Sequence, residues 1–181
     1  MKKTISFGVV FLFMLNVASA QQTTINKGIL PDSPIYFLDL LLEEIQLKIA
    51  ENNPELRIRL KTQFLSERIL ESQFIANKPN NKPQLVSNLL LEIKTGTDDL
   101  AQEAENVPEA KEFIGNYLNN SMIVLTQVKE KFETDSNPNN DNAISGLNIA
   151  ISNQAKKIEA IKNKPVNNPS NPNNQTIGGG Y

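Results

Sequence analysis

The sequence predicts an all-α protein, a bundle of about five amphipathic helices with a disordered C-terminal tail. Three observations carry this prediction. Pro34, Pro54, Pro83, Pro108 and Pro138 each stand at or just before the start of an apolar-periodic segment, and proline suits the first helical turn because its missing N–H would have no partner there. Within those segments the apolar residues recur at the spacing of a helix, not of a strand. The last stretch, KPVNNPSNPNNQTIGGGY at 164–181, has too little apolar content to offset the entropy of ordering it.

Residues 1–20 come first. Lys2 and Lys3, an apolar run from Ile5 to Val17 and the ending Ala18-Ser19-Ala20 follow the order of a secretory signal peptide. Cleavage is expected after Ala20, because the apolar run falls short of the about 20 residues that a span needs. An uncleaved anchor is the alternative on the same criterion. Later apolar stretches are broken by charge, Asp39, Glu43 and Glu44 interrupting the best of them, so no transmembrane span is expected after cleavage.

Residues 21–27 are a short linker, and 28–163 form the helical domain, a length at which one core is the default. Its helices are expected at 34–51, 54–77, 83–106, 108–133 and 141–163. Ser33 is the expected N-cap of the first helix, with Pro34 at its first position. That helix is apolar on two sides: Leu38, Leu41, Leu42, Ile45 and Ile49 form one stripe, and Tyr36, Leu40 and Leu47 a second nearly opposite. The second helix is similar, with Leu56, Leu60, Phe64 and Phe74 on one side and Ile58, Leu65 and Ile69 on another. A doubly apolar helix is either central in its bundle or offers one face to a partner, as in a coiled coil. The favoured expectation is that the other three helices sandwich these two.

The later helices each show a single stripe: Leu85, Leu89, Ile93, Leu100 and Ala104; then Phe113, Tyr117, Val124 and Val128; then Ile144, Leu147, Ile151 and Ile158. Gly96 lies on the apolar side of the third helix, where it costs about 1 kcal/mol relative to Ala. A close helix crossing or a bend would explain it.

The composition narrows the chemistry. The chain has neither His, Cys nor Trp, which removes imidazole acid-base work, Ser-His triads, usual zinc sites, disulfides and lipobox attachment. Losing Lys2 and Lys3 reduces the 18 basic residues to 16 against 20 acidic ones, a net charge near −4. An acidic, mixed-sign surface does not suit nucleic acid. No enzyme activity and no cofactor is expected.

Carboxylates remain. Glu67 and Glu71 stand four residues apart within the Leu60, Phe64 and Phe74 side of the second helix. Burying an unpaired charge is costly, so a buried ion pair with Arg68, Arg57, Arg59 or a neighbouring lysine is the first expectation. A carboxylate site for a hard cation such as Ca²⁺, or a carboxylate pair doing acid-base work, is the second. The stretch DSNPNNDN at 135–142 lacks the central Gly and terminal Glu of a calcium loop; it reads as a loop capping the fifth helix. Asn119-Asn120-Ser121 and Asn174-Gln175-Thr176 meet the N-glycosylation rule, the first of them within a helix.

At LPDSPIYFLDLLLEEIQLKI and PELRIRLKTQFLSERILES the chain resembles an exported, mostly helical family described as domain of unknown function 5667. The family pattern Leu-Pro-x-(Asp/Ser)-Pro-x-Tyr is met by Leu30, Pro31, Ser33, Pro34 and Tyr36. A Glu-Arg-Leu-like signature in the second helix is met by Glu67, Arg68, Ile69 and Glu71. The likeness covers residues 28–75. Where the family has proline and then basic residues after the tyrosine, this chain has Phe37, Leu38 and Asp39. The resemblance implies a shared scaffold and no established activity.

Together these readings give an exported protein of the periplasm, cell surface or medium, a non-enzymatic structural or protein-interaction module. An unknown protein, or the chain itself, is the expected partner, with Tyr36, Leu40 and Leu47 as the possible contact. The alternative is a carboxylate-based metal or small-ligand binder using Glu67 and Glu71.

Overall fold

In the computed structural model, residues 29–78, 82–135 and 137–163 are described. The expected signal peptide, linker and tail lie outside them. The described residues form five α-helices, α1 (Tyr36–Ile49), α2 (Pro54–Ala76), α3 (Pro83–Asn106), α4 (Lys111–Thr134) and α5 (Asn140–Asn163), with a 3-10 turn at Pro108–Ala110 leading into α4.

Local chemistry sets the ends. The Asn53 side chain accepts from the Leu56 N–H at 3.0 Å, with Pro54 opening α2, a pairing of cap and proline that satisfies one orphan donor and removes another. α1 starts two residues later than expected, and its N-cap is Ile35 instead of Ser33. Pro34 disfavours helical backbone at the residue before it. The chain makes successive turns instead, with Ser33 N–H donating to Leu30 O at 2.8 Å and Tyr36 N–H to Ser33 O at 3.1 Å. The expected fourth helix divides, because Pro108 opens a 3-10 turn before α4. At the next junction, the Asn140 amide donates to Phe132 O at 2.8 Å and Asp135 O at 3.2 Å, tying the start of α5 to the end of α4.

Helices α2, α3, α5 and α4 pack in that order around a ring, each against the next, with α4 returning to α2. The α3–α4 connection therefore crosses the end of the bundle. Val86, Leu89, Ile93 and Leu100 of α3 meet Ile114, Leu118, Leu125 and Phe132 of α4, Leu147 and Ile158 of α5, and Ile58, Leu65 and Ile69 of α2 in one buried core. Burying each such side chain stabilises the fold by about 1.5–3 kcal/mol before entropy is counted. Gly146 permits the α3–α5 approach: a Cβ there would lie 2.7 Å from Leu90 Cδ1. Gly96 faces Leu65, where a Cβ would sit at an ordinary 3.4 Å.

One polar network crosses the core. Buried Gln154 donates to Thr97 Oγ1 at 3.2 Å and accepts from Ser121 Oγ at the same distance, joining α5 to α3 and α4. The Ser121 hydroxyl of the first glycosylation triplet is thus inside the bundle.

The sandwich expected around the first two helices does not form. α2 is one corner of the ring, and α1 lies outside it, its backbone packed against α2 alone. No residue of α1 between Tyr36 and Ile49 is fully buried.

Candidate functional site

The side of α1 that faces the bundle is set by Tyr36, Asp39, Glu43 and Leu47, all half-buried, followed by buried Ala50. Their spacing of three and four residues makes one helical face, and it is largely polar. What draws it inward is Arg68. This side chain projects from α2 and is only 4% exposed.

Its guanidinium is enclosed by acids from three helices. Nη2 donates to Glu43 Oε1 of α1 at 2.5 Å, Nη1 to Glu71 Oε1 of α2 at 3.1 Å, and Nε lies 2.7 Å from Glu92 Oε2 of α3. Asp39 Oδ2 stands 3.9 Å from Nη1. Tyr36 completes the enclosure: its hydroxyl donates to Glu92 Oε2 at 2.9 Å and its ring centroid is 5.2 Å from Arg68 Cζ, within cation–π range.

One cation cannot neutralise Asp39, Glu43, Glu71 and Glu92 together. Burial pushes the Glu43 carboxyl up to about 7; Arg68 opposes the shift, and Asp39 and Glu67 reinforce it. Glu71 is pushed up to about 7 by burial, again against Arg68 and with help from Glu92 and Asp39. Arg68 itself is held above its ordinary value: burial works against its charge, and the surrounding carboxylates more than compensate. Glu71 Oε2 is buried without a hydrogen bond, which favours a proton on Glu71 near neutral pH; Asp39 Oδ2 is likewise buried without a hydrogen bond.

The residues singled out from sequence separate accordingly. Glu71 and Arg68 meet as a buried ion pair. Glu67 is half-buried, accepts from Gln63 Nε2 at 3.0 Å, and offers an oxygen that lies within 4.8 Å of others from Asp39 and Glu43. Arg57 turns instead to Glu103 of α3, making two bonds of 2.7 Å, with Lys61 adding a third at 2.8 Å. Arg59 pairs with exposed Glu55. Tyr36 is part of the Arg68 enclosure, Leu47 is half-buried, and Leu40 is exposed.

The apolar stripe of α1 points away from the bundle. Leu38, Leu41, Leu42, Ile45 and Ile49 are between 42% and 76% exposed, and Ile35 and Phe37 extend the surface. Sequence reasoning missed this orientation. The usable signal was Arg68 on a half-apolar helix, since a buried guanidinium requires carboxylates, and Asp39 and Glu43 stand one turn apart to supply them.

The arrangement offers hydrophobic contact on one side of α1 and a proton-sensitive clasp on the other. Among the described residues, no helix is long and apolar enough to cross a membrane. A family model described as Domain of unknown function (DUF5667) matches residues 28–135, reaching beyond the turn and first two helices into α4. No curated protein and no solved structure matches the chain.

Proposed function

We propose, from the premise that the chain belongs to the DUF5667 family, that it is an exported, non-enzymatic module whose task is protein contact through α1. The observation that carries the reading is the outward stripe Leu38, Leu41, Leu42, Ile45 and Ile49. A contiguous apolar surface of several hundred Å² marks an interaction site more often than an idle surface. Export is supported by the order of charge, apolar run and Ala-Ser-Ala at the N-terminus. The absence of His and Cys from the sequence supports a role in binding.

The carboxylate reading has a geometric basis in Asp39, Glu43 and Glu67. Arg68 already faces two of these three, so a divalent cation would compete with a fixed guanidinium. The contact reading is therefore preferred.

The test is expression of the tagged full chain in a bacterial host, followed by fractionation and N-terminal sequencing. A product starting at Gln21 outside the cytoplasm is expected, with envelope or partner association that Leu41→Glu abolishes. An uncleaved product in the cytoplasm, or association indifferent to Leu41→Glu, overturns the reading. Calcium or a chelator is expected to leave the melting temperature unchanged.

A further inference from the structure

The outward face of α1 has an order of its own. Leu38, Leu42, Ile45 and Ile49 follow one another at intervals of four, three and four residues, the seam spacing of paired helices. All four are exposed. The interval pattern reads the same from either end. An antiparallel copy of α1 would therefore set Leu38 against Ile49 and Leu42 against Ile45, then repeat both pairs across the twofold axis. Such self-complementarity is what an isologous contact requires.

We propose that this face pairs with the same face of a second copy of the chain, forming a twofold antiparallel α1–α1 contact. The proposal rests on the contact reading given above and names its partner. With a large apolar side chain worth roughly 150–200 Å² when fully exposed, the four seam residues with Leu41 and Phe37 offer on the order of 500–600 Å² per copy. Stable interfaces bury roughly 800 Å² per partner. The polar rim of Glu44, Gln46 and Lys48, all exposed, supplies part of the difference, and the dimer is dependent on concentration.

Other occupants fit less well. An anionic lipid surface would find no excess of basic charge beside this stripe, where exposed Glu44 offsets the single Lys48 of α1, and such binding needs clustered Lys/Arg. The stretch 164–181 contains only Val166, Ile177 and Tyr181 as large apolar residues, too few to cover the stripe.

Sedimentation velocity of the chain from Gln21 to Tyr181, from about 1 to 200 μM, tests the proposal. The expected result is a monomer at the low end and a dimer at the high end. Leu42→Glu and Ile45→Glu should each weaken dimerisation at least tenfold with helical content retained. Leu91→Glu, at an exposed α3 position, should leave it unchanged. A monomer throughout the range overturns the proposal, as does a dimer that the α1 variants leave intact or binding of the monomer to zwitterionic vesicles through this face. If the chain is monomeric yet Leu41→Glu still abolishes association in the cell, the second copy is wrong and the contact reading stands; loss of both effects removes both.

Discussion

Replacing Arg68 by methionine removes the only cation from a site where Asp39, Glu43, Glu71 and Glu92 converge, while keeping much of the side-chain volume. The guanidinium makes close contacts to three carboxylates and is 4% exposed. Breaking a buried ion pair by removing one partner costs about 3–5 kcal/mol. Because α1 contributes two of the acids and buries no side chain fully, its undocking is the cheapest relief. At pH 8 the loss should appear as amide protection across Tyr36–Ile49 falling about 10²–10⁴-fold. At pH 5 the Glu43 and Glu71 carboxyls, raised to about 7 in the native protein, carry protons. The penalty then shrinks to about 1–2 kcal/mol of missing hydrogen bonds. Hydrogen exchange corrected for intrinsic rate, alongside urea denaturation followed by circular dichroism, measures both values. Arg59→Met, at an exposed pair with Glu55, is the control and should change stability by under about 0.5 kcal/mol. An Arg68→Met loss below about 1 kcal/mol at pH 8, or an equal loss at both pH values, would mean that Arg68 does not hold α1 in place through these carboxylates.

The wild-type chain should itself become more stable between pH 8 and 5. Carboxyls whose folded value lies above their ordinary one bind protons first in the native state, so stability rises as pH falls from about 7 towards the ordinary 4.5 of Glu43 and Glu71. Below that range the trend reverses, because Asp98, held at about 2 despite burial by Lys94, Lys157 and Asn153, and Glu103, lowered by Arg57 and Lys61, lose their ionised partnerships. A melting temperature that climbs steadily with pH from 5 to 8 contradicts this assignment. Gln154→Ala should cost about 2–4 kcal/mol through the cavity and the lost hydrogen bond to buried Thr97, while Ser121 keeps its bond to Leu118 O, measured by urea denaturation. Gly96→Ala should stabilise α3 by up to about 1 kcal/mol, whereas Gly146→Ala must displace Leu90 and should be the less stable of the two variants; thermal melting compares them directly.

Much of the bundle was legible because each cue had one physical meaning. Pro54 with Asn53 before it could only open a helix, and the bounds of α3 at Pro83 and Asn106 coincide with those expected. Leu89, Ile93 and Leu100 were legible as core by spacing. On α4 the buried line runs through Ile114, Leu118, Leu125, Val128 and Phe132, so Phe113 and Val124 are at its edge. Of the expected stripe, Tyr117 and Val128 are buried and Phe113 and Val124 pack partly buried against the core, so the stripe lay on the core side but off its centre.

The orientation of α1 was harder to read, because apolar periodicity identifies a face and not its destination. Leu38, Leu41, Leu42, Ile45 and Ile49 look like a core stripe by spacing. Their displacement follows from an electrostatic demand made elsewhere in the chain: Arg68, buried in α2, recruits Asp39 and Glu43, and the apolar stripe turns outward with them. Glu92, more than twenty residues further on, completes the set. Its role is fixed by tertiary packing, and the sequence around it carries no local mark of it.

The absence of cysteine from the sequence makes the orientation of α1 directly measurable. Single substitutions Leu42→Cys, Ile45→Cys and Ala50→Cys, each reacted with a thiol reagent at submicromolar protein, report which side of the helix meets solvent. Near-free reactivity is expected at positions 42 and 45, with protection of at least a hundredfold at the buried position 50. Protection at 42 and 45 under these dilute conditions would contradict this orientation, because the apolar stripe would then face the bundle.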